Sequence, residues 1–333
     1  MKVIIPVAGV GSRLKPHTFT TPKALLEVAG KPILEYIIND ALKLNPSEII
    51  FVVGHLKESI ESFVKTVFPT INSSFIDQKV RDGDGSAIRL ALEKFDTEEE
   101  VFVIFGDTMI DFEIKKSLTK NNSDAIIYTM PVEEPSHYGI VNYDPANMRI
   151  SQVEEKPENP KSNLAIIGVY YFKSLLRLKY VLNELYAKKI TIKGEYKLVQ
   201  AIDKYTKDKE SFVQAKVVNS WFDCGRPSVL LEANDYFLKK LGKGKITIKG
   251  DNLIIPPVYI NKTAIIKKSI IGPNVSIGEN ACLENVIIED SIICSDSILK
   301  NVLLKKSLIG KNVKYTKDMP KTNIGNNSEI EFE

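Results

Sequence analysis

Gly9, Gly11 and Ser12 stand in a short run, Ala8-Gly9-Val10-Gly11-Ser12-Arg13-Leu14, that follows an apolar stretch at residues 3–7. The stretch reads as a buried first strand. Two glycines and a serine let the backbone turn sharply and aim its N–H groups at an anion. Arg13 and Lys23 add two fixed positive charges within reach of the same spot. The combination is a phosphate cradle at the carboxyl end of a strand, where open α/β sheets bind ligands.

The spacing narrows the kind of cradle. A P-loop needs glycines five apart followed by Lys and Ser or Thr, whereas here Arg follows glycines two apart. A dinucleotide fingerprint needs a third glycine where this chain has Leu14. The longer pattern continues with Pro22-Lys23 and Gly30-Lys31-Pro32. It resembles that of the sugar-1-phosphate nucleotidyltransferases (nucleoside-diphosphate-sugar pyrophosphorylases).

The resemblance implies that a sugar-1-phosphate oxygen attacks the α-phosphorus of a nucleoside triphosphate in line while pyrophosphate leaves. Such chemistry rests on charge neutralisation and alignment. Mg2+ suits it, being a hard cation usually held by one or two carboxylates plus phosphates and water. By the resemblance, Asp107 in Phe105-Gly106-Asp107-Thr108 and Asp223 in Trp221-Phe222-Asp223-Cys224-Gly225 bind the same magnesium. Arg13 and Lys23 hold the triphosphate, completing a catalytic set of Arg13, Lys23, Asp107 and Asp223. Ala8, Gly9, Gly11, Ser12 and Arg13 form the nucleotide loop, with Gln78 and Gly83 on a pyrimidine base. A Gln amide can donate and accept toward uracil or thymine, and a glycine lets the base approach the backbone. UTP or dTTP is therefore favoured.

For the sugar-phosphate end, the resemblance implies Gly139 in Tyr138-Gly139-Ile140-Val141 and Gly168 in Ile167-Gly168-Val169-Tyr170. It also gives Glu155 of Glu154-Glu155-Lys156-Pro157 to sugar hydroxyls and Lys156 to the sugar phosphate. The chain departs from the family pattern in places. Acidic Asp82 and Asp84 flank Gly83, Val199-Gln200 replaces Thr-Asp, and Arg226-Pro227 follows Gly225.

The elements that must hold these residues are legible in the hydropathy. Residues 1–242 alternate short apolar strands, such as 49–53 and 101–105, with amphipathic helical patterns. Ile33, Leu34, Ile37, Ile38, Ala41 and Leu42 form one apolar stripe, with Pro32 placed as a first-turn proline. This predicts a mostly parallel, Rossmann-like three-layer α/β domain. Beyond residue 250, Ile, Leu and Val recur every five or six residues, as in Lys267-Lys268-Ser269-Ile270-Ile271 and Glu284-Asn285-Val286-Ile287-Ile288. That period predicts a β-solenoid over 250–322, with 323–333 as a tail. It resembles the hexapeptide-repeat left-handed parallel β-helix.

Composition narrows the function class. The 333 residues carry 45 Lys+Arg against 42 Asp+Glu, a net charge of +3, with 44% hydrophobic and 26% charged content. This describes a soluble protein with no dedicated nucleic-acid or membrane surface. No export signal is evident, and Cys224, Cys282 and Cys294 have no Cys-x-x-Cys spacing, so the expected location is the cytoplasm. His17, His55 and His137 all precede the solenoid. An acyltransferase site with a histidine base is thus not expected there. The solenoid should serve assembly or regulation, with a homo-oligomer formed through it. A non-catalytic regulatory scaffold of the same architecture is the alternative, but it would have no need for all four catalytic charges.

Overall fold

The computed structural model describes residues 1–119, 122–242 and 244–318. The expected 323–333 tail and the last residues of the 250–322 solenoid lie outside them. The chain divides into two compact units, Met1–Ala233 and a second that begins at Asn234. The second unit thus starts within helix Pro227–Leu241, earlier than the expected end of the first domain at 242. Asn234 is tied to the solenoid by side-chain bonds: it donates to the Asn274 carbonyl (3.2 Å) and accepts from Ser276 Oγ (2.6 Å).

The first unit is built on a sheet of nine described strands. Their spatial order is Ser73–Asp77, Glu48–Val53, Lys2–Pro6, Val101–Ile104, Leu164–Phe172, Ala125–Pro131, Val213–Val217, Arg149–Glu155 and Gly139–Asp144. The strands up to Ile104 are parallel, as the βα alternation predicts. Leu164–Phe172 then enters antiparallel to Val101–Ile104, so the sheet as a whole is mixed. Gly139–Asp144 and Arg149–Glu155, joined by a tight turn, are antiparallel as a short connection requires.

Ile4, Ile50, Val52, Val101 and Val103 share one core with helices Asp84–Leu92, Leu175–Ala187 and Leu198–Lys207. Val3, Ile5, Phe51 and Phe102 alternate with them along the strands and are also fully buried. Both faces are therefore covered, which is the expected three-layer arrangement. Helix Ile33–Leu42 begins one residue later than predicted: Pro32 occupies the N-cap with φ −57° and ψ 142°, an extended conformation just outside the helix.

The second unit is a parallel β-helix. Ile265 pairs with Cys282 and Cys282 with Ile298, so successive coils take 17 and then 16 residues. Three files of left-handed residues mark the corners: Lys268, Asn285 and Asn301; Asn274, Asp290 and Lys306; Asn280, Asp296 and Asn312. Their φ values lie between 47° and 60°, where Asn and Asp are tolerated better than other side chains. Steps of five or six between corners reproduce the sequence period and make each coil shorter than three full hexads. Asn side chains bond from coil to coil, as in Asn285 Nδ2 to Asn301 Oδ1 at 2.9 Å and Asn274 Nδ2 to Asp290 Oδ1 at 2.8 Å. Inside lie Ile271, Val275, Ile277, Leu283, Val286 and Leu299.

Leu299 is fully buried in that core. Leu299→Ala should cost about 2–5 kcal/mol, read as a lower urea midpoint for the solenoid transition.

Candidate active site

Parallel strands deliver their loops to one edge. Lys2–Pro6 runs into Val7 and Ala8, Glu48–Val53 into Gly54, and Val101–Ile104 into Phe105 and Gly106. The Gly106 N–H donates to the Pro6 carbonyl at 3.1 Å, and a Cβ on Gly106 would lie 2.4 Å from Val7 Cγ1. Only glycine permits this approach, and the result sets Asp107 beside the loop that follows the first strand. Thr108–Ile110 then pairs antiparallel with Trp221–Asp223, with Thr108 opposite Asp223. The Cys224 N–H donates to the Asp107 carbonyl at 3.0 Å. The two aspartates, far apart in sequence, are thereby brought together.

Cations hold this pair. Lys23 Nζ forms an ion pair and hydrogen bond with Asp107 Oδ2. Gly225 lies against the cluster: a Cβ there would meet an Arg13 guanidinium nitrogen at 2.7 Å, Asp223 Oδ1 at 3.0 Å and Lys23 Nζ at 3.2 Å. Burial and then the Asp107 charge raise the Asp223 carboxyl above the usual range, with Lys23, Arg13 and Arg226 acting in the opposite sense. Two hard oxygen donors set side by side, one of them on a half-buried strand, fit a divalent cation. Among the described residues no group of three or more His, Cys, Asp or Glu could hold a metal. Two protein carboxylates are few for a closed site, and they fit magnesium completed by phosphates and water.

Two cavities adjoin the pair. One, of about 300 Å³, is lined by Ala8, Gly9, Lys23, Gln78 and Gly83 of the predicted nucleotide set. The other, of about 330 Å³, is lined by Gly139, Glu155, Lys156 and Gly168 of the predicted sugar-phosphate set, together with Arg13 and Asp223. Asp84, Phe105 and Asp107 line both. Arg13, in the turn that follows Gly11, lines the sugar-side cavity. Gly11 and Ser12 line neither cavity. Gly11, at φ 67°, caps the 3-10 turn Ser12–Leu14, and its carbonyl accepts from Thr18 Oγ1 (2.9 Å), so its role is to shape the loop.

Hairpin register builds the sugar side. Glu155 pairs directly with Gly139, whose missing side chain leaves room for Glu155 Oε2. Lys156 adopts φ 48°, a strained conformation for a lysine, as its N–H bonds to the Tyr138 carbonyl at 3.0 Å. Burial, Asp84 and Glu195 raise the Glu155 carboxyl, against the pull of Lys156 and Lys197. Tyr138 and Trp221 pack edge to face, 5.4 Å between centroids, as a second wall.

Several functional residues escaped the motifs. Lys197 lines the sugar-side cavity and pairs with Asp84 (3.6 Å) and Glu195. Burial opposes its charge, but Asp84, Glu195 and Glu155 outweigh this and hold its ammonium above its ordinary range. Asp84 accepts from the Leu198 N–H at 2.6 Å, so it caps helix Leu198–Lys207 instead of facing a phosphate unshielded. Gln200, one of the departures from the family pattern, accepts from the Lys197 N–H (3.0 Å) at the same helix start, and Val199 lines the sugar-side cavity. Pro227 opens helix Pro227–Leu241, which accounts for the other departure. His55 Nε2 meets the Thr18 carbonyl (3.3 Å) and His137 Nδ1 meets Glu134 (3.2 Å), the local bonding roles expected of them. No helix among the described residues is long and apolar enough to cross a membrane.

Comparison with known proteins bears on this geometry. Residues 2–240 match the family described as Nucleotidyl transferase. The chain is 36% identical over 261 residues to the bifunctional protein GlmU of Methanocaldococcus jannaschii, covering 76% of this chain and 60% of that protein. It therefore spans about 60% of that relative's length. It is 29% identical to the low-salt glycan biosynthesis nucleotidyltransferase Agl11 of Haloferax volcanii, with full coverage of both chains. A solved UDP-glucose pyrophosphorylase complexed with UDP-glucose is similar in structure: TM-score 0.63, 25% identity, 72% of this chain and 98% of that one.

Two tests follow from the geometry. Gly83 sits at φ 125°, and a Cβ there would lie 2.1 Å from the Tyr196 carbonyl oxygen. Gly83→Ala should cost roughly 1–3 kcal/mol, measured by thermal unfolding. Asp223, with its pKa raised in the fold, is tolerated best below its unfolded pKa and costs stability as pH rises through the folded value. Asp223→Asn in magnesium-free buffer should therefore raise the melting temperature at pH 7, by on the order of 2–4 °C for each kcal/mol relieved. The gain should vanish as pH falls below the ordinary carboxylate range.

Proposed function

Because this chain belongs to the nucleotidyl transferase family, we propose that it transfers a nucleotidyl group from UTP or dTTP to a sugar-1-phosphate, releasing pyrophosphate. The observation that carries this reading is the junction of two cavities at Asp107, one bearing the nucleotide set and the other the sugar-phosphate set. A phosphate oxygen of the sugar substrate forms a bond to the α-phosphorus, and the bond from that phosphorus to the oxygen bridging to the β-phosphate breaks. The departing pyrophosphate takes the electron pair.

Lys23, on the nucleotide side, neutralises triphosphate charge, and Arg13, on the sugar side, steadies the attacking phosphate and the charge that develops in the transition state. Lys156 orients the sugar phosphate and Glu155 accepts from sugar hydroxyls. Magnesium, held by Asp107 and Asp223, would supply charge neutralisation at the α-phosphate. Gln78 Nε2 donates to the Gly83 carbonyl at 3.0 Å, leaving the amide oxygen to accept the N3–H of uracil or thymine. We place the protein in the cytoplasm with its substrates, associating with itself through the solenoid.

Purified protein incubated with magnesium, single nucleoside triphosphates and a panel of sugar-1-phosphates should release pyrophosphate only when both substrates are present. Asp107→Ala should lower kcat by about 100-fold or more, the scale of a lost charge-stabilising group. Gln78→Glu, which swaps the amide for a carboxylate, should shift the preference among triphosphates while Asp107 chemistry persists. Absence of release from every pair, with folded protein and magnesium, would favour the regulatory scaffold.

A further inference from the structure

Arg81 lines the nucleotide cavity together with Gln78 and Gly83, although no motif singles it out. It is exposed at the rim, in the loop that joins strand Ser73–Asp77 to helix Asp84–Leu92. The other polar side chains around it are committed. Lys23 pairs with Asp107, Lys197 pairs with Asp84 and Glu195, and Gln78 Nε2 donates to the Gly83 carbonyl. Asp82, next to Arg81 in the chain, accepts from Gln78 Nε2 instead (3.5 Å). Among the described residues, no group accepts a hydrogen bond from the Arg81 guanidinium. A guanidinium stays charged at any working pH and carries five donors in one plane, so here it is a donor set without acceptors beside a cavity.

The order of the sheet says which part of a nucleotide Arg81 meets. Gly9 and Asp107 follow the adjacent strands Lys2–Pro6 and Val101–Ile104, whereas Ser73–Asp77 is the edge strand, two positions from Lys2–Pro6. Helix Asp84–Leu92 shares its core with Ile4, Ile50 and Val52, so loop 78–83 travels from the edge toward the middle. Arg81 therefore stands on the edge side of Gly83, away from the phosphate-binding groups. Gln78 is buried, and its amide turns back onto Gly83, so it lies on the cavity floor between the two. The Gly83 N–H has no partner among the described residues. A uracil or thymine presents three groups in line: O2 beside the glycosidic bond, then N3–H, then O4 farthest from the ribose. Gly83 then falls to O2, the Gln78 oxygen to N3–H, and Arg81 to O4.

We propose that Arg81 is a base-specificity residue whose guanidinium donates to the O4 carbonyl of a uracil or thymine bound between Gln78 and Gly83. The assignment rests on the nucleotide reading of the same cavity. The three protein groups read donor, acceptor, donor, the complement of the uracil and thymine edge. Cytosine carries an amino group in place of O4, and its hydrogens meet those of the guanidinium. Its unprotonated N3 also meets the Gln78 oxygen, lone pair against lone pair. Guanine offers O6 to Arg81 and N1–H to Gln78, but its 2-amino group faces the Gly83 N–H. A wrong base thus leaves desolvated polar groups unmatched, which is the strongest form of discrimination a binding site has. The thymine methyl lies beside O4 on the side away from N3, so Arg81 does not separate UTP from dTTP.

Affinity reads this contact without turnover. Calorimetric titration of the full chain with UTP and with CTP, magnesium present, should give a wild-type preference for UTP of about tenfold or more. Arg81→Ala should weaken UTP binding about tenfold and CTP binding less than about threefold, so that the preference shrinks. Arg81→Lys keeps a charged donor and should retain most of the preference. The ratio of kcat/KM values for pyrophosphate release should change in step. Equal losses for UTP and CTP in Arg81→Ala would assign the guanidinium to the phosphates and overturn the proposal. So would a preference that Arg81→Ala leaves intact, or a wild type that binds both triphosphates equally. A UTP preference that Arg81→Ala abolishes, with no pyrophosphate released from any substrate pair, would sink the transfer reading and leave the base contact standing. A wild type that binds neither triphosphate overturns both.

Discussion

Asp107 and Asp223 repel one another across the paired backbones of Thr108–Ile110 and Trp221–Asp223, and much of the first unit serves to hold them there. Neither position is free to relax. Asp107 follows a glycine packed against Val7, and Asp223 precedes a glycine pressed against Arg13 and Lys23. The two-stranded ladder keeps the pair together, since releasing the carboxylates would break its bonds and expose the buried strand Thr108–Ile110. Like charges held at close range in this way are a standing attraction for a cation and for the phosphates that accompany it. Stability is lowered at this one point and recovered in the surrounding core.

The wall between the two cavities depends on a crossing of chain segments. Tyr196 approaches the Gly83 loop so closely that its carbonyl accepts from the Gly85 N–H at 2.9 Å, while its own N–H donates to the Asp82 carbonyl at 2.7 Å. Asp84 reaches the other way to cap helix Leu198–Lys207. Helices Asp84–Leu92 and Leu198–Lys207 therefore start from one knot of hydrogen bonds and share one core. That knot borders both cavities, with Asp84 lining each and Lys197 and Val199 lining the sugar side. Buried polar contacts of this kind specify a unique arrangement because an unpaired member would be costly.

The second unit solves a different physical problem. Each coil buries one file of aliphatic residues inward and closes its corners with left-handed residues whose side chains bond to the next coil. Stability of such a stack accumulates from neighbour to neighbour. Its coils need no charge cluster, and its cysteines follow the same alternation: Cys294 is buried, whereas Cys282 lies in an outward file and touches the Asn280 carbonyl at 3.7 Å.

By itself, the sequence determined the features whose signals are local. The glycine loop after a first strand, the five-or-six-residue period of the solenoid and the order of the charged motifs all depend on neighbours in the chain, through turn geometry and side-chain alternation. From those signals came the two folds, while Asp107, Asp223, Gln78 and Glu155 became candidates through the family resemblance of their motifs. Tertiary structure alone decided which side of Asp107 each residue serves. Arg13 lines the sugar-side cavity, Gly11 caps the turn Ser12–Leu14, and Asp84 caps a distant helix. It alone brought Lys197 into the cavity wall and set Leu164–Phe172 antiparallel at the centre of a mixed sheet. These outcomes depend on contacts between segments distant in sequence, and no local propensity encodes which distant carboxylate or backbone N–H a charged side chain will meet.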